Sequence, residues 1–139
     1  MKKLFNLFAV SFLFFGCTKE NVTKITDVKL TRISFASCCE SWGDKKIFDR
    51  IVEMNPQVYI AGGDNIYGDF FALATGTPDF IQGQYDALAG DKSFRNLRAR
   101  VPILPMWDDH DTGDNDGTSA NPVLQPAKQL FFKFWNIVM

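Results

Sequence analysis

From Leu30 onward the chain alternates between apolar segments and short polar turns, and the period of each apolar segment points to an element. "LTRISFAS" has apolar side chains at Ile33 and Phe35 with β-branched neighbours, which predicts a strand ending near Ala36. In "GDKKIFDRIVEMNP", Ile47, Phe48, Ile51 and Val52 recur at i, i+1, i+4 and i+5, the stripe of an amphipathic helix. Asp44 is its expected cap, and Asn55-Pro56 should stop it. "QVYIAG" is apolar at nearly every position, the pattern of a strand buried on both faces. Strand, helix and strand within about thirty residues make a βαβ unit, so an α/β fold with a parallel sheet and a right-handed crossover is expected.

"DFIQGQYDALAG" and "DKSFRNLRAR" predict two helices lying over the sheet. "VPILPMW" predicts a third strand, and "PAKQLFFKFWNIV" a last helix. Pro102 and Pro105 weaken the third strand or place it where one edge lacks a partner.

The polar turns then fall into line. The first strand runs into "SCCES", the second into "GGDNIYGD" and the third into "DDHDTGDND". In an open parallel sheet the loops at the carboxyl ends of the strands share one edge, where ligands bind. Residues 107–116 hold five aspartates around His110, the only histidine of the chain. Crowded carboxylates repel more strongly as the effective dielectric falls. A cation between them removes that conflict and keeps them ionised.

Hard cations select carboxylate oxygens, and iron(III) also accepts phenolate and thiolate. Asp64, Tyr67, Asp108, Asp109 and one of Cys38 and Cys39 would suit a mixed site. Gly62 and Gly63 allow the tight turn that presents Asp64 at the strand tip. Each feature alone has a plainer reading. Gly-Asp after a strand is common turn chemistry, the cysteines suit small buried positions, and His110 could only bond a backbone group. Adjacent cysteines seldom bridge each other, because the geometry strains the peptide. An EF-hand register on "TGDNDGTSANPV" fails, since Thr112 and Val123 would occupy the first and twelfth ligand positions. A solvated loop remains the alternative for Asp114, Asn115 and Asp116.

Composition narrows the class. Apolar residues make up 46% and charged residues 22%, as in a globular protein of one domain. With a net charge of -1 there is no basic surface to suggest nucleic acid. Residues 1–17, "MKKLFNLFAVSFLFFGC", begin with Lys2 and Lys3 and continue with an apolar run from Leu4 to Phe15. The run is short for a spanning helix, which needs about twenty residues. Gly16 before Cys17 resembles a bacterial lipoprotein signal, which would leave Cys17 as a lipidated N-terminus. Phe14 stands where such signals most often carry leucine, and an ordinary signal peptide or short anchor is the alternative. Residues 18–29 are polar and read as a tether between membrane and domain. The expected location is the cell envelope, on the periplasmic side or the surface.

"SFASC", "GGDNIYGD" and "VPILPMWDDHDTGDNDG", with "FRNLRARVP" leading into the last, resemble the alkaline phosphatase D family. That family belongs to the calcineurin-like metallophosphoesterase superfamily. The resemblance covers about Ile33 to the last residue and implies the first half of a two-sheet α/β sandwich over residues 30–139. It implies metal ligation by Cys38, Asp64, Tyr67 and Asp109, with Asp64 shared between two metals, and a catalytic role for His110. Asn65, Asp69, Asp108 and Asp111 would support these ligands or contact substrate. The implied cofactors are iron(III) and calcium, or another divalent pair, and the implied partner is a small phosphate ester. The implied reaction is hydrolysis by water activated at a dinuclear centre, with His110 protonating the leaving oxygen or stabilising its charge.

Departures from the family are also visible. Thr112 stands where the family usually has an aromatic residue, which bears on substrate contacts. No immunoglobulin-like domain fits before Ile33, and the metal ligands of the family's second half find no counterpart. Three readings follow: an exported lipid-anchored metallophosphatase seen as its N-terminal portion, a non-catalytic cation-binding surface lipoprotein, or a truncated product without function.

Overall fold

The computed structural model describes residues 29–40, 42–69 and 75–138. The expected signal with Cys17, and the tether up to residue 28, lie outside the described residues. No helix among those described is long and apolar enough to cross a membrane.

The fold is mixed α/β, a small three-stranded parallel sheet with four helices. In chain order the elements are β1 (Ile33–Ala36), α1 (Ile47–Glu53), β2 (Val58–Gly62), α2 (Pro78–Gly90), α3 (Lys92–Arg100), β3 (Ile103–Met106) and α4 (Leu124–Trp135). A 3-10 turn, His110–Thr112, interrupts the acidic loop after β3. Strand order is β1-β2-β3, with Phe35, Ile60 and Leu104 in register across the sheet. Pro105 therefore sits in an edge strand, where its missing N–H does no harm to a ladder.

Local chemistry sets the helix boundaries. The Thr77 hydroxyl accepts the Phe80 N–H, with Pro78 in the first helical position, and α2 begins there. The Asp91 carboxylate accepts the Phe94 N–H at 2.8 Å and starts α3 one residue after α2 ends. Ile81, Tyr85 and Leu88 of α2 and Phe94 and Leu97 of α3 turn inward and meet Phe131 of α4 in one core. Its aromatic centre is Phe94, whose ring lies 5.3 Å from Phe48 and 6.0 Å from both Phe134 and Trp135.

Three expectations need correction. Asp44 does not cap α1: its carboxylate accepts the Lys46 N–H at 2.9 Å, in the turn that precedes the helix. The last helix starts at Leu124, because Pro126 is tolerated in a first turn whose N–H groups lack helical partners. It ends at Trp135, where Asn136 takes a left-handed conformation with φ 55°. β2 itself is largely buried, with Val58 8% exposed, but the flanking strands are not covered on both faces. Tyr59 and Ala61 are buried, but the opposite face leaves Phe35 80%, Met106 58%, Leu104 57% and Ile33 51% exposed. Apolar side chains of both edge strands are thus uncovered on this face among the described residues.

Candidate metal centre

The three strand-end loops are laced together by backbone hydrogen bonds. The Cys38 N–H donates to the Gly63 carbonyl at 3.2 Å and the Cys39 N–H to the Asp64 carbonyl at 2.7 Å. Farther out, the Gly68 N–H donates to the His110 carbonyl at 2.9 Å. Gly63 has φ 102°, and a Cβ there would lie 2.7 Å from the Cβ of Asp108. Only glycine meets both demands at this crossing. Cys38 and Asp64 are themselves left-handed, at φ 60° and 50°. Such conformations are sparsely populated for these residues and persist where surrounding bonds hold them.

This lacing brings Asp64, Asp109 and His110 together, each offering a ligand atom within 4.8 Å of the others. Asp64 is 8% exposed, and its Oδ1 is buried with no hydrogen-bond partner. Its Oδ2 accepts the Cys38 thiol at 3.4 Å. Asp109 Oδ2 accepts the Asp116 N–H at 2.6 Å, which fixes the carboxylate. The Asp108 carboxylate instead turns back onto the Asp109 N–H at 3.0 Å and is exposed to solvent.

His110 is held on two sides. Its Nδ1 lies 2.6 Å from Oδ1 of Asp69, a carboxylate 1% exposed, and its ring stacks on Tyr67 at 4.1 Å. Trp42 meets the same tyrosine edge-on at 5.7 Å. Since Nδ1 is engaged by a carboxylate, Nε2 is the nitrogen left for chemistry.

Beneath these groups lies Asp111, fully buried and not a candidate ligand. Its carboxylate accepts the Asn65 and Asp108 N–H groups, the Asn65 side-chain amide at 3.1 Å and the Tyr85 hydroxyl at 3.3 Å. Asn65 also donates to the Met106 carbonyl at 2.6 Å, tying the β2 loop to the end of β3. Thr112 is buried as well: its hydroxyl donates to the Asp109 carbonyl at 2.7 Å, and the Asn121 amide donates to the Thr112 carbonyl at 3.0 Å. A threonine serves here because the position points into the loop's own backbone.

Electrostatics carry the mark of an unbalanced site. Burial raises the Asp64 carboxyl, with Asp109 and Asp108 adding to the shift against the Cys38 thiol. Burial pushes the Tyr67 phenol up to about 12, so it stays neutral unless a cation compensates. Burial lifts Asp111 to about 6 against the N–H groups that oppose it. For His110 burial disfavours the imidazolium, but the hydrogen bond and charge of Asp69 outweigh it and hold the pKa above the ordinary histidine value.

Among the residues singled out from the sequence, Asp64, Asp109 and His110 cluster, Cys38 bonds Asp64 and Tyr67 stacks on His110, with Asn65, Asp69 and Asp111 bonded behind them. Cys39 packs against the hydrophobic core, where burial raises its thiol pKa. Two contributors had no sequence signal. Tyr85 reads only as part of the apolar stripe of α2, and the Asp116 backbone reads only as loop. Comparison with protein-family models, with curated proteins and with solved structures finds no match to this chain.

Proposed function

We propose that this chain is the N-terminal portion of an exported, lipid-anchored metallophosphatase that hydrolyses phosphate esters, related to the alkaline phosphatase D family. The observation that carries this reading is the buried, unpartnered Oδ1 of Asp64 in a cluster with Asp109 and His110. A buried carboxylate oxygen without a donor is costly, and a cation is what its surroundings fit.

The donor set suits a hard or borderline cation: Asp64 and Asp109 as oxygen ligands, with Cys38 and Tyr67 able to add thiolate and phenolate. Iron(III) with calcium, or a pair of divalent cations, fits that mixture. When bound, the cations would polarise the phosphoryl group and supply hydroxide near neutral pH. The protein's own part falls to His110, whose Nε2 would carry the proton for the leaving oxygen. Asp69 orients the ring through Nδ1 and stabilises its charged form, while Tyr67 holds the ring plane. Asn65 and Asp111 set the distance between the β2 and β3 loops, so they position ligands without touching substrate.

In this reading the fold is the first half of a two-sheet α/β sandwich. The bare apolar face around Phe35 and Leu104 is what a second sheet would cover. One observation favours a second reading, cation binding without hydrolysis. Among the described residues a single cluster of three His, Cys, Asp or Glu side chains is close enough to share an ion, fewer than a dinuclear centre needs.

The test is hydrolysis of p-nitrophenyl phosphate and bis-p-nitrophenyl phosphate by the full chain, loaded with iron and calcium, beside Asp64→Ala. Activity lost in the variant supports the hydrolase. Cation binding that Asp64→Ala abolishes, without turnover, supports the second reading. Neither binding nor turnover would overturn both.

A further inference from the structure

Carboxylates crowd the loops after β2 and β3, at the end of the sheet where Lys45 and Lys46 also follow β1. Asp64, Asp69 and the five aspartates from 108 to 116 follow the carboxyl ends of β2 and β3. At the opposite end, Lys29 and Arg32 precede β1, and Arg100 closes α3 just before β3. All three are exposed, and none has a carboxylate partner among the described residues. The carboxylate of Glu53, at the end of α1, is matched by Arg50 at 2.7 Å.

This basic edge is held in shape. Gln57, at the entry to β2, accepts the Thr31 N–H at 2.7 Å and the Arg32 N–H at 3.2 Å, and donates to the Lys29 carbonyl at 3.1 Å. The clamp fixes residues 29–32 against the start of the central strand. Beside the cations stand two exposed apolar side chains, Leu30 at 50% and Met54 at 66%. Exposed cations beside aliphatic side chains suit a bilayer interface, where the charges meet anionic headgroups and the apolar groups enter the boundary.

The chain also arrives from its N-terminus at this edge. Residues 1–28 precede Lys29 in the chain, so the first described residues belong to this edge. We infer that the amino end of the sheet docks on anionic lipid headgroups and stands the acidic, metal-binding end away from the bilayer. The inference takes its membrane from the proposed anchor, but the surface is independent of it. Docking would keep the aspartates away from like-charged lipid, leaving them open to soluble cations and phosphate esters.

The full chain would be mixed with vesicles of phosphatidylcholine alone, or with phosphatidylglycerol added, and followed by flotation and hydrogen exchange. The expected result is protection of residues 29–32, 54–57 and 100–102 on the anionic vesicles only, with no protection of 107–117. High salt should remove it, since the Debye length falls from about 30 Å at 0.01 M to about 3 Å at 1 M. Arg32→Glu combined with Arg100→Glu should abolish the protection while circular dichroism stays unchanged. If those charges instead unfold the chain, Arg32→Gln with Arg100→Gln serves, with weakened protection expected. Flotation with both vesicle types without edge protection would uphold the anchor and overturn the docking. Salt-sensitive flotation with anionic vesicles alone, with the edge protected, would uphold the docking and overturn the anchor. Flotation with neither overturns both, and equal protection by dextran sulfate in detergent would assign the edge to soluble polyanions and overturn the proposal.

Discussion

Asp69 and His110, forty-one positions apart, meet through a contact of 2.6 Å between Oδ1 and Nδ1. The carboxylate is almost fully buried and the imidazole is 15% exposed at its side chain, so the pair sits where a charge–dipole bond is little screened. The bond fixes which ring nitrogen holds a proton and where the other nitrogen points. On the proposed hydrolase reading, Asp69→Asn should therefore slow phosphate-ester hydrolysis by about 10²- to 10⁴-fold, the range of general acid–base catalysis. Cation affinity should hold, because Asp64 and Asp109 keep their places. A metal titration beside the kinetics separates the two. Equal loss of binding and rate would show that Asp69 holds the loop and not the imidazole.

Asp111→Ala tests the buried hub. The substitution leaves the Asn65 and Asp108 N–H groups and the Tyr85 hydroxyl without their acceptor, each at about 1–3 kcal/mol. Chemical denaturation should show a loss of that order. Cation affinity should fall as well, although Asp111 is no ligand, because the β2 and β3 loops lose their common anchor. Tyr85→Phe should cost less, since it removes one donor while the buried Asp111 Oδ1 keeps the Asn65 N–H.

Stability should also depend on Asp49, which joins α1 to α3. Its carboxylate accepts the Ser93 hydroxyl at 2.7 Å and the Asn96 amide at 3.2 Å, and those bonds hold its pKa below the usual carboxylate value. For a depressed carboxyl, stabilisation is present above the unfolded value, about 3.9 for aspartate, and is lost as pH falls through the folded value. Asp49→Asn should flatten that acid limb in thermal melts taken across the acid range. Identical slopes for the two proteins would rule the contact out as a source of stability.

The bare sheet face makes a fourth prediction. Phe35→Ser with Leu104→Ser should reduce self-association and dye binding in light scattering and fluorescence. Unfolding free energy should move by no more than about 0.5 kcal/mol for each exposed site. A large loss of stability would show that the face is packed in solution.

Much of the architecture is legible in the chain. The run "QVYIAG" and the stripe of Ile47, Phe48 and Ile51 announce β2 and α1, because burial imposes their periods of two and 3.6. Asp91 marks the break between α2 and α3 through a cap that depends on a single side chain. The ends of α1 and α4 are less legible: Asp44 and Pro126 each fit two registers, and only the packed helix selects one. The gathering of ligand-type residues is likewise foreseeable, since a parallel sheet brings the turns after its strands to one edge.

The α/β pattern, the three polar turns and the residue types that could hold a cation are written in the order of side chains along the chain. Tertiary structure decided which of those residues meet. It turned Asp64 and Asp109 toward His110, sent Asp108 to solvent, and buried Asp111 as an acceptor for two loops and a helix. Five aspartates in one stretch look alike in a sequence. They part company through backbone dihedrals and long-range bonds, such as Asn65 to Met106 and Gly68 to His110, which exist only once distant segments pack.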